Sequence, residues 1–138
     1  MKRYEQFPHT SDIGVHVYGK DLRDLFENAA FAMFDVIADL ENISGDMEET
    51  IELEAQDQDL LLVAWLDELL YKFFTKGLIF YKFQVELLTE CELKAKAFAR
   101  PVAVNRNRLK TEIKAVTYSG LKIRKSDADY EVEIIFDV

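Results

Sequence analysis

Cysteine is almost missing from this chain: Cys91 is the single thiol in 138 residues, so no disulfide can form within it. Nothing in the composition then asks for an oxidising compartment, and a buried or inert thiol is the expectation. Histidine is nearly as scarce. With only His9 and His16, and no His-x-x-His or paired-cysteine spacing, a zinc site is not expected. Proline and glycine number two and five, against ten Phe and six Tyr in a composition that is 49% hydrophobic, which argues against a disordered tail. A long apolar run is absent too. The longest, Leu60 to Leu66, falls far short of the roughly 20 residues a bilayer crossing needs. The start, MKRYEQF, has no apolar signal core, so a cytoplasmic location is expected. No Walker-type loop, Gly-x-Gly-x-x-Gly, Gly-x-Ser-x-Gly or Cys-His nucleophile pair is present, so covalent chemistry is not announced.

What the chain has in excess is negative charge. A formal net charge of -9 and a pI near 4.7 argue against strong direct nucleic-acid binding, because a polyanion gains no counterion release on an acidic surface. The charge is unevenly spread. Arg100, Arg106, Arg108, Lys110, Lys114, Lys122, Arg124 and Lys125 form a basic stripe opposed only by Glu112. It reads either as solvated strand faces or as a phosphate-binding surface.

The length suits one domain, residues 1–138. A short strand is predicted at residues 3–7. "IGVHVYG" follows, alternating Ile13, Val15 and Val17 inward against Gly14, His16 and Tyr18, which leaves "HTSD" on the connection between two strands. Helical spacing of apolar residues with Asp21 as N-cap predicts a helix over 22–39. A second helix starts behind Asp57 or Asp59 and stops at Gly77; being apolar on every side near its start, it requires cover on more than one face. "TIELEA", the hairpin "FQVELL" and "LKAKAFA", then "LKTEIKAVTY", "LKIRK" and "YEVEIIFDV" supply further strands. The expected class is α+β, a mostly antiparallel sheet with two main helices.

Chemistry concentrates at two places. In the last strand Tyr130, Val132, Ile134 and Phe136 share one face, which puts Asp137 with Glu133 on the other and the terminal carboxylate of Val138 beside it. Two carboxylates at one strand tip repel unless compensated, so a hard divalent cation is a candidate partner, with Asp12 a third oxygen donor if the sheet brings its loop alongside. A frayed, solvated terminus is the alternative. His9 can orient a carboxylate or bond the backbone; Thr10 and Ser11 can ligate, cap or turn the chain. His16 falls on an outward strand face, and Glu68 and Lys72 have the spacing of a helical ion pair. Thr111, Ile113, Ala115 and Thr117 share a face; with that face buried, Lys114 points outward to balance carboxylates, to meet a phosphate or only to meet solvent.

"HTSDIGVHVYG", "LFENAAFAMFDVI", "LLLVAWLDELLYKF", "EIKAVTY" and "VEIIFDV", in that order, resemble the archease family across residues 4–138. The resemblance implies an α+β fold with an inserted portion of the SHS2 type. It also implies a non-catalytic protein that promotes guanylylation and multiple turnover of the RtcB-type tRNA-splicing RNA ligase, or a chaperone-like module for an RNA methyltransferase. The family's metal site, commonly calcium, maps onto Asp12, Asp137 and Val138, with His9, Thr10 and Lys114 as supporting residues. Two departures stand out: "AFARPVAVNRNRLKTE" lacks the Gly-Glu and histidine of many relatives, and Ser119 replaces a histidine.

Overall fold

The structure, a computed structural model, describes residues 2–9 and 11–138. Its elements run β1 (Tyr4–His9), β2 (Asp12–Gly19), α1 (Leu22–Ile37), β3 (Met47–Glu54), α2 (Gln58–Lys76), β4 (Leu78–Leu88), β5 (Glu92–Pro101), β6 (Ala115–Thr117), β7 (Arg124–Ser126) and β8 (Asp129–Asp137), with two 3-10 turns at 102–104 and 106–108. The strands form two sheets, and every pairing is antiparallel. One has the order β1-β2-β8-β6, with β7 also on β8; the other is β3-β5-β4. The second sheet and α2 form a strand-helix-strand-strand unit inserted between α1 and β6, the inserted portion of an α+β domain.

Both helices begin behind the residues the sequence nominates, while α1 ends at Ile37, short of the expected residue 39. Asp21 accepts the Asp24 N–H at 2.8 Å and Asp57 the Leu60 N–H at 2.9 Å, each satisfying a donor that the first turn leaves orphaned. Gly77 ends α2 with φ of 63°, and its N–H reaches Phe73 O, the left-handed termination that a Cβ would strain. Gly19 has a different task. A Cβ there would stand 2.4 Å from the Leu25 backbone nitrogen, so glycine lets β2 turn closely into α1.

α1 touches β2 and β8 of one sheet and β4 of the other, so a single core joins the two. Phe34 packs edge-on against Phe73 and Phe80, and fully buried Trp65 donates Nε1–H to Phe26 O at 2.9 Å, tying α2 to α1. α2 meets α1, β3, β4 and β6, the multi-sided cover its apolar start requires, although Leu60 itself stays exposed.

Several local expectations are corrected. The first strand runs on through His9 and the next begins at Asp12, so both residues are strand partners and not loop residues. β3 begins at Met47, three residues ahead of the predicted strand "TIELEA". "LKTEIKAVTY" keeps only 115–117 as strand, and the inward face changes sides within it: Ile113 and Val116 are buried while Ala115 and Thr117 are exposed. Lys114 is exposed, as expected. Cys91 is exposed, not buried. The basic stripe lies mostly on the 3-10 turns and loops, not on strand faces.

Candidate metal centre at the sheet tip

The alternation of β8 decides where Asp137 goes. Val132, Ile134 and Phe136 are at most 1% exposed on the core face, which leaves Glu133 and Asp137 on the outer face. β8 is an internal strand, paired with β2 on one side and with β6 and β7 on the other, so its last residue is held from both flanks. Asp137 is the register partner of Asp12 and of Ala115, and its carbonyl accepts the Lys114 N–H at 2.7 Å. Val138 follows half-buried, with its side chain packed against the core. The strand end is therefore anchored, which removes the frayed-terminus alternative.

Asp12 and Asp137 face each other directly across antiparallel strands. Such partners have Cβ atoms about 4.5–5.5 Å apart on one face, close enough for two carboxylates to share a cation and close enough to repel without one. Asp12 is half-buried and Asp137 exposed. On the other side of β2, His9 is the register partner of Asp12, and Ser11 takes the left-handed turn position with φ of 62°. Thr10 lies outside the described residues. The backbone thus brings His9, Asp12, Asp137 and the Lys114 amide to one end of the larger sheet.

The side-chain donors of Asp12 and Asp137 are all oxygen, which suits a hard cation such as calcium or magnesium and disfavours soft metals. Among the described residues no group of three His, Cys, Asp or Glu side chains is placed to hold a metal ion. Two side-chain carboxylates therefore fit a cation only with further oxygens, such as the carboxylate of Val138, water or a partner molecule.

Farther along the same outer face lies a row that sequence reasoning missed. His16 lies on the outward face of β2 as expected but is half-buried: its ring stacks on Tyr18 at 4.7 Å, and its buried Nε2 sits 3.5 Å from Glu131 without hydrogen-bond alignment. Lys122, Arg124 and Glu133 complete a small hollow of about 170 Å³ around this pair. Only the β2-β8 register reveals it, since His16 and Glu131 are more than a hundred positions apart. The predicted pair of Glu68 and Lys72 forms at 3.6 Å, yet Glu49 of β3 dominates there, accepting from Lys72 and Lys76 at 2.9 Å each. Those two ammonium groups, Lys76 first, hold the Glu49 carboxyl below its ordinary value.

Comparison with known proteins agrees with this architecture over its full extent. Residues 4–138 match the Archease protein family. The chain is 41% identical to protein archease of Methanosarcina mazei, covering 99% of this chain and 97% of that one, and 37% identical to protein archease of Pyrococcus abyssi over 100% of both. The solution structure of Methanobacterium thermoautotrophicum protein 1598 superposes with a TM-score of 0.87 at 34% identity, covering 100% of each chain. The crystal structure of an archease from Thermotoga maritima shares the fold, with a TM-score of 0.68 at 19% identity over 100% of this chain and 98% of that one. A family match over residues 4–138, with relatives up to 41% identical over nearly the whole length of both chains, leaves one conclusion: the chain belongs to the archease family.

Proposed function

We propose that this protein is a non-catalytic activator of an RtcB-type RNA ligase and that it works through the carboxylate tip of its larger sheet. The observation that carries the reading is the direct opposition of Asp12 and Asp137 at the end of an internal, anchored strand. In this reading Asp12, Asp137 and the Val138 carboxylate hold a divalent cation, calcium by resemblance. The cation supplies positive charge that neutralises the carboxylates and keeps the tip in one geometry. The chain's own residues do the rest: β8 fixes Asp137, the β1-β2 hairpin fixes Asp12, and His9, Thr10 and Lys114 support the pair. Presented to a ligase, such a tip helps retain or position the metal and nucleotide on which guanylylation depends, since carboxylates suit hard cations better than they suit RNA.

The test is ligase guanylylation and turnover with the wild type, Asp12→Ala and Asp137→Ala. Stimulation falls at least tenfold in each variant if the tip is the working surface; unaltered stimulation by both removes it from the mechanism.

A second reading is a chaperone-like module, with an RNA methyltransferase as its client by resemblance; its chaperone half draws on the Thermotoga maritima archease, a possible chaperone. Under it the cation only fastens the strand end. Asp137→Ala then lowers stability while protection of the client from aggregation persists.

A further inference from the structure

At the opposite end of β2 from the carboxylate tip, roughly 24 Å away along the strand, a cleft of about 350 Å³ opens between α1, the start of β1 and the edge strand β4. Its charge runs against that of the molecule. Four cations, Lys2, Arg3, Lys20 and Lys82, line it against two carboxylates, Asp24 and Glu27, in a protein of net charge -9.

The two carboxylates are already engaged in shaping the walls. Asp24 accepts the Lys20 backbone N–H at 2.9 Å, and Glu27 accepts the Val85 N–H of β4 at 2.8 Å. Neither pairs with a cation of the cleft. Lys2 is tied to Glu5, but among the described residues Arg3, Lys20 and Lys82 make no ion pair, and all three are exposed. Arg3 is nonetheless ordered, its guanidinium 4.2 Å from the centre of the Phe31 ring. A stacked guanidinium keeps its in-plane donors free for an anion, and phosphate matches that fork in two-point geometry. The cleft lies near the lower limit of small-ligand sites, about 300 Å³, which suits a ligand no larger than a mononucleotide.

We propose that this cleft is an anion site for a phosphate monoester, with Arg3 as the two-point donor and Lys20 and Lys82 as the flanking charges. The phosphate can belong to a free mononucleotide or to the phosphorylated end of an oligonucleotide, because the recognised group is the same.

Amide-shift titration of the full chain tests this with AMP, adenosine and inorganic phosphate, and with short oligonucleotides carrying a 5′-phosphate or a 5′-hydroxyl. The proposal predicts saturable shifts at Arg3, Lys20 and Lys82 with AMP and phosphate but not with adenosine. The double variant Lys20→Gln/Lys82→Gln should weaken AMP at least tenfold, while Lys94→Gln/Lys110→Gln, on another part of the surface, leaves binding unchanged. A 5′-phosphate oligonucleotide that binds more tightly than AMP identifies a nucleic-acid end as the source; AMP binding more tightly identifies the free nucleotide. The proposal is overturned by the absence of saturation with both AMP and phosphate, by adenosine binding as tightly as AMP, or by equal weakening in the two double variants.

Discussion

Trp65 and Gly77 show how much single residues carry in this fold. Trp65 is fully buried and makes its hydrogen bond to Phe26 O of α1 inside the core, so Trp65→Phe removes both a donor and volume there. The expected cost is about 1–3 kcal/mol, measurable as a lower urea midpoint. Gly77→Ala leaves every packing contact in place and meets no neighbouring atom, yet forces a Cβ into the left-handed region. Its cost of about 1 kcal/mol is purely conformational. A loss below about 0.3 kcal/mol, against this scale, would mean that α2 can end without the left-handed residue. Tyr4 works differently: its hydroxyl donates to Asp35 of α1, and burial, aided by that carboxylate, pushes the phenol above its ordinary value, so it stays a neutral donor at physiological pH.

At the scale of elements, the ionic link between β3 and α2, from Glu49 to Lys72 and Lys76, depends on pH. Glu49 titrates below its ordinary value of 4.5 in the folded protein, because Lys76 and Lys72 donate to its charged form. A depressed carboxyl contributes stability that is fully present above the unfolded value and is lost as pH falls through the folded one. Glu49→Gln should accordingly be less stable than the wild type at pH 7, and the gap should narrow as pH falls below about 4.5. Urea unfolding at pH 7 and pH 3 checks this; a gap undiminished at pH 3 would assign the effect to packing. Much at this scale was legible in the sequence. Asp21, Asp57 and Gly77 announce the helix ends because caps act within three or four residues, and β8 declares its buried face by strict alternation. Residues 109–114 misled for a physical reason. Their alternation imitates a strand, but Lys110 N donates to Ile37 O and Asp39 N to Arg108 O, so the start of the segment bonds the end of α1, and only the Lys114 N–H and residues 115–117 reach the sheet. The division into two sheets was not legible either, because strand pairing is a long-range choice that local pattern leaves open.

For the whole molecule, the larger sheet places two chemically opposite features at its two ends. The carboxylates of Asp12 and Asp137 stand at one end of β2, and the cationic cleft beside Lys20 at the other. The residues of the first were readable from "HTSD" and "FDV", since each is a short motif at a strand end; their opposition was not, because it depends on β8 entering the sheet beside β2. The second is spread over three elements and left no local signature. That opposition is the centre of the account, and calorimetric titration of calcium into chelator-stripped protein, alongside Asp12→Asn and Asp137→Asn, tests it most directly. One cation should bind per wild-type chain, raising the thermal midpoint in step with its concentration, and each variant should lose at least tenfold in affinity. Undiminished calcium binding by both variants, or none by the wild type, would contradict it.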